Sequence, residues 1–70
     1  MTEIIKNSVF ELRNEAGMTQ EMLAHKLGVS RQTIIAIEKG NYTPSVALAL
    51  KAGHVFKKSV EDIFRLSTKK

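Results

Sequence analysis

There is no cysteine in this sequence. That excludes a disulfide framework and every thiolate metal site, and it suits a reducing compartment. No apolar run approaches the ~20 residues needed to cross a bilayer; the longest are Ile34–Ile37 and Val46–Leu50. The start, Met1 to Lys6, lacks the basic lead and long apolar stretch of a secretion signal, so the expected setting is the cytoplasm. Catalytic chemistry is missing as well. There is no nucleophile–base pair, no pair of carboxylates and no glycine-rich phosphate loop. His25 and His54 stand far apart with no carboxylate or thiol arranged around either, and each reads as a surface or satisfied histidine rather than a ligand or base. Neither an enzyme, a metal, a cofactor nor a small-molecule ligand is expected. Repeats, low-complexity tracts and linkers are absent too, so residues 1–70 read as one domain.

What is present is a short, basic chain. Seventy residues bury only about 60% of the surface that the unfolded chain exposes. A core of that size rarely supplies more than roughly 3–5 kcal/mol unaided, which makes dimerisation an expected source of help. The net charge of +4 is unevenly placed. Glu3, Glu11, Glu15 and Glu21 outweigh Lys6 and Arg13 in the first part. From residue 22 to residue 60, Lys26, Arg31, Lys39, Lys51, Lys57 and Lys58 face a single acid, Glu38. A one-sided basic field attracts polyanions and speeds their encounter.

Helix punctuation is regular. Ser8 followed by Glu11 predicts a capping box opening a helix that runs to about Ala16 and stops at Gly17. Thr19 predicts the cap of a second helix, with Met18 and Leu23 as a hydrophobic staple and Glu21 in the first turn, where the dipole favours an acid. Met22 reads as a packing residue, as does Met18. The second helix ends at Leu27-Gly28. Ser30 predicts the cap of a third, running through Glu38 to Gly40, with Val29 and Ile34 as its staple. Pro44 pushes Thr43 extended, and Ser45 caps a fourth helix from Val46 to about Phe56. That helix is apolar on most sides and is expected to be the most buried. Gly53 inside it suggests the close approach of another helix. Ser59 with Asp62 starts a short fifth helix ending near Phe64. The expected class is all-α, five helices, with Glu3–Ile5 and Phe64–Ser67 able to pair as a minor two-stranded ribbon.

The informative stretch is Thr19–Gly40. Two capped helices separated only by Gly28-Val29 must cross steeply. Ala24 is small enough for the close approach, Gly28 tolerates left-handed dihedrals, and Ile34 and Ile37 turn inward at i,i+3 spacing. The other face of the later helix begins Ser30-Arg31-Gln32-Thr33, four hydrogen-bonding side chains at the end that enters the major groove in a helix-turn-helix. Arginine can bond guanine O6 and N7 together, and glutamine adenine N6 and N7; Ala36 can touch a thymine methyl. Thr19 and Gln20 suit a phosphate at a helix start. Lys39, Asn41, Tyr42 and Thr43 follow the reading helix and can grip neighbouring phosphates.

The residues Leu12-Arg13, Gly17–Glu21, Leu23-Ala24, Lys26–Ile34, Ile37–Gly40, Tyr42 and Pro44-Ser45 resemble the Cro/repressor, or Xre-type, helix-turn-helix family, and Ser59–Phe64 fits that family's fifth helix. The resemblance covers nearly the whole chain and is strongest to compact stand-alone members. It implies a five-helix domain that binds double-stranded operator DNA as a homodimer and represses transcription. It places base readers at Arg31, Gln32 and Ala36, a helix-start phosphate contact at Gln20, and an ion pair between Arg13 and Glu38 that supports the fold. It implies dimerisation through the fifth helix and the chain ends, hence Ile63, Phe64 and Leu66. Three positions depart from the family pattern. Ile35 stands where small or polar residues are usual, as a reader of thymine methyls or merely half-exposed. Phe10 is an aromatic at a commonly charged position, which suggests contact with another segment or subunit. Lys57-Lys58 replaces a frequent Gly-Val pair. A protein-binding module of the antitoxin kind is the competing reading; it usually needs a flexible segment to wrap its partner, and only a few residues follow Phe64.

Overall fold

The computed structural model describes residues 2–69. In chain order it contains strand β1 (Thr2–Asn7), helices α1 (Val9–Glu15), α2 (Gln20–Leu27), α3 (Arg31–Glu38), α4 (Val46–Phe56) and α5 (Val60–Ile63), and strand β2 (Phe64–Lys69). Four helices start as their cap residues dictate. Thr19, Ser30, Ser45 and Ser59 each accept the N–H three residues on, from Met22 (3.0 Å), Thr33 (3.2 Å), Leu48 (3.1 Å) and Asp62 (3.2 Å). Each such cap contributes about 1 kcal/mol. Gly28, at φ +72°, closes α2, and the N–H of Val29 reaches back to the carbonyl of Ala24 at 3.0 Å.

The first helix begins differently from expectation. Ser8 makes no side-chain cap. Its N–H is donated to the Ile63 carbonyl at 2.9 Å, so Glu11 has no free N–H to reach back to and no capping box forms. Its hydroxyl accepts from Arg65 Nη2 at 3.0 Å. The capping role falls to Asn7, whose Oδ1 accepts the N–H of Val9 at 3.1 Å.

The ribbon is real and longer than the segments that suggested it. β1 and β2 pair antiparallel from Thr2 opposite Lys69 to Asn7 opposite Phe64. Lys6 lies opposite Arg65, an unfavourable like-charge pair, but Arg65 bends away to the Asp62 carbonyl (3.2 Å) as well as to Ser8. Joining the chain ends in this way closes the helices into one unit around a core of Val9, Leu23, Ala24, Leu27, Ile34, Ile37, Leu48, Ala52 and Ile63.

Three packing expectations need correction. α4 is not the most buried helix: only Leu48 and Ala52 are buried on it, while Val46 is 77% and Leu50 54% exposed. α4 touches the rest of the chain along one stripe, and the composition of a helix cannot say how many sides have neighbours. At Gly53 the tightest approach comes from the turn before α5 rather than from a helix, with Val60 of α5 at an ordinary contact distance of 3.9 Å. A Cβ there would lie 2.9 Å from the backbone oxygen of Lys58, because the chain turns sharply through Lys57, in the left-handed region at φ 56°. Met22, expected in the packing, is 47% exposed; its sulfur instead lies 3.5 Å from the Thr19 N–H and completes that cap.

Candidate nucleic-acid interface

α3 has two unlike faces. Ile34 and Ile37 are 0% and 2% exposed and anchor the helix in the core. Arg31 and Gln32 point to solvent from its first turn, and Ala36 is half-buried one turn further on. Gln32, Ala36 and Lys39 follow i, i+4, i+7 spacing and so share a stripe. Thr33 is half-buried and its hydroxyl lies 3.1 Å from that of Ser30, so both are partly engaged in capping. Ile35 is half-buried beside this face. Lys39, Asn41, Tyr42 and Thr43 are all exposed. Gly40, at φ +80°, turns the chain, and the N–H of Asn41 bonds the Ala36 carbonyl at 2.9 Å.

The start of α2 is the second element of the site. Thr19 takes the N–H of Met22, and the N–H of Leu23 goes to the Thr19 carbonyl. The N–H groups of Gln20 and Glu21 are left without an intrahelical acceptor, as in any first turn, and that end carries the positive pole of the helix dipole. Gln20 is half-buried, and its Nε2 donates to Glu38 Oε1 at 3.1 Å. The sequence pattern did not show that bond.

Arg13 and Glu38 join α1 to the end of α3, with only 9% and 7% of their side chains exposed. Arg13 Nε donates to Glu38 Oε2 at 2.6 Å and Nη2 to Oε1 at 3.2 Å, while Nη1 donates to the Met18 carbonyl at 2.9 Å. The hydrogen bond to Glu38 raises the Arg13 pKa above its ordinary value; burial opposes the rise and the attraction of the carboxylate adds to it. Phe10 is 52% exposed, and the Arg13 guanidinium, one turn on in the same helix, sits 5.4 Å from its centroid, within cation–π range.

Asn7 is a further residue that the sequence reading passed over. Its Nδ2 donates to the Ile37 carbonyl at 2.9 Å, tying β1 to the last turn of α3. Asn7-Ser8 presents two cap-type residues side by side, and only the pairing of β1 decides which one caps. Of the three residues expected between copies, Ile63 is fully buried in the chain's own core and has no surface for a second chain. Phe64 is half-buried and Leu66 is 72% exposed.

A capped helix, a tight glycine turn and a second helix with an apolar inner and polar outer face define a helix-turn-helix DNA-binding domain. The model of the helix-turn-helix family matches residues 9–63, from α1 to α5, and the chain belongs to this family, in its Xre-type branch. An HTH-type transcriptional regulator of Bacillus subtilis, YgzD, is 52% identical over 62 residues, covering 89% of this chain and 94% of the relative. One from Methanocaldococcus jannaschii is 57% identical over 60 residues, covering 86% and 91%. One from Archaeoglobus fulgidus is 48% identical over 60 residues, covering 86% of each. The protein is thus a DNA-binding transcriptional regulator and not an enzyme. No helix among the described residues is long and apolar enough to cross a membrane.

Proposed function

We propose that residues 1–70 act as one DNA-binding domain that represses transcription in the cytoplasm, binding a two-fold operator as a homodimer. The observation that carries this reading is the division of α3: Ile34 and Ile37 fix it in the core while Arg31 and Gln32 stand free at its N-terminal end. Arg31, Gln32, Thr33 and Ala36 read base edges in the major groove. The start of α2 (Thr19, Gln20) and the residues Ser30, Lys39, Asn41, Tyr42 and Thr43 hold phosphates and set the register. Phosphate contacts of this kind position the protein, and base contacts specify the sequence.

A second copy is the proposed occupant of the exposed apolar surface. That surface is on β2, where Leu66 is 72% exposed and Phe64 is half-buried. A small core benefits from such burial, at about 25 cal/mol per Å² of apolar surface. Two copies related by a two-fold axis would set their reading helices ~34 Å apart, one turn of DNA.

The test is selection of duplexes from a random pool by the purified protein, run beside Arg31→Ala. An enriched inverted repeat is expected. In Arg31→Ala, specific affinity should fall by about 1–3 kcal/mol and preference relax at one position per half-site. Binding with no enriched sequence, fading steeply with salt, would reduce the interaction to phosphate attraction and refute base reading.

A further inference from the structure

The side chain of Gln20 stands at the first position of α2, and an exposed phosphate-gripping glutamine there would sample many rotamers. Here Gln20 is half-buried, and one amide hydrogen is held by Glu38 Oε1 at 3.1 Å. A glutamine amide carries two hydrogens in a fixed plane. Fixing one therefore aims the other. Glu38 sits at the far end of α3 from the base-reading turn, so the same carboxylate references the start of α2 to the reading helix.

A bare carboxylate so near a phosphate-binding helix start would repel DNA. Arg13 removes that cost with two guanidinium bonds to Glu38. Its third bond, to the Met18 carbonyl at 2.9 Å, and the Met18 N–H donated to the Arg13 carbonyl at 3.0 Å hold the backbone just before the Thr19 cap. Four elements thus meet at one nearly dry charge pair: α1, the end of α3, the first turn of α2 and the loop leading into it.

We propose that Glu38 is a positioning residue for DNA binding: neutralised by Arg13, it holds Gln20 so that the remaining amide hydrogen and the adjoining N–H groups of the α2 first turn face a phosphate. This rests on the reading that the start of α2 contacts the DNA backbone. The role goes beyond support of the fold, because it predicts energetic coupling between a buried pair and a phosphate contact.

The experiment is a double-mutant cycle on binding to a mixed-sequence DNA duplex. One arm is Gln20→Met, similar in shape but without the amide. The other is Arg13→Met/Glu38→Met, which removes the charge pair as a unit and leaves the net charge unchanged; replacing a buried pair by apolar side chains is often neutral for stability. Each arm alone should weaken binding about threefold to tenfold, the worth of one hydrogen bond, with the slope of affinity against salt unchanged because no cation facing DNA is lost. All three together should bind within about twofold of either arm. Losses that multiply, or an Arg13→Met/Glu38→Met protein that binds like the wild type, would overturn the positioning role while leaving the backbone contact standing. A wild type that fails to bind the duplex at all would overturn both. Thermal melting of each variant separates unfolding from lost binding. A second measurement needs no variant: in the free protein, one side-chain amide hydrogen of Gln20 should exchange with solvent more slowly than those of the exposed Gln32, and equal rates would refute the strut.

Discussion

Gly53→Ala sets two physical effects against each other at one atom. Inside a helix, alanine is favoured over glycine by about 1 kcal/mol, so propensity predicts a more stable protein. The surroundings predict the reverse. The new Cβ would lie 2.9 Å from the Lys58 carbonyl oxygen, closer than carbon and oxygen tolerate. That oxygen is not the tip of a flexible side chain. It is main chain, held by the bond from the Lys58 N–H to the Gly53 carbonyl at 3.0 Å and by a turn already bent through Lys57 in the left-handed region. Overpacking against a constrained neighbour costs about 1–3 kcal/mol. Subtracting the propensity gain leaves a net loss of about 1 kcal/mol, or a fall of about 4–8 °C in melting temperature for a domain this size. Urea unfolding followed by circular dichroism measures the difference. A variant more stable than the wild type would show that the turn relaxes freely and would refute the steric account.

Lys57→Gly should act in the opposite direction at the same turn: it relieves a left-handed lysine and should add about 0.5–1 kcal/mol after the entropy of the new glycine is counted, again read by denaturant midpoint. Glu38→Ala should cost about 3–5 kcal/mol by stranding a buried guanidinium, whereas replacing Arg13 and Glu38 together by methionine should cost much less; equal losses would show that the charge is not what matters. Leu66→Ser should shift the self-association equilibrium measured by sedimentation toward monomer while leaving the helical spectrum intact, and an unchanged association constant would move the interface away from β2.

Much of the fold lay in short-range signals. Thr19, Ser30, Ser45 and Ser59 satisfy N–H groups three residues away, and Gly28 closes a turn beside its own helix, so each could be read from a few adjacent letters. Ile34 and Ile37 fall on the inner face of α3, and Arg31 and Gln32 on the outer, because helix geometry alone converts spacing into direction. The Arg13–Glu38 pair was legible only through family resemblance, since nothing local connects α1 to the end of α3.

Where the reading failed, the deciding contact came from far along the chain. Ser8 lost its capping role because Ile63 and Arg65, brought alongside by the ribbon, claim its N–H and hydroxyl. The bonds of Gln20 to Glu38 and of Asn7 to Ile37 join residues on separate elements. Met22 and the outer face of α4 are apolar yet exposed, because hydrophobicity states what a side chain favours and not whether a neighbour arrives to cover it. Gly53 marks a tight approach by the returning chain, and no spacing rule identifies which atom fills that space. The sequence by itself determined where α2, α3, α4 and α5 start and which face of α3 turns outward, since these follow from hydrogen bonds and periodicity within a few residues. Only the tertiary structure decided how the chain ends pair, which apolar surface stays bare, and how a buried charge pair reaches the start of α2, since these depend on distances between residues that the chain places far apart.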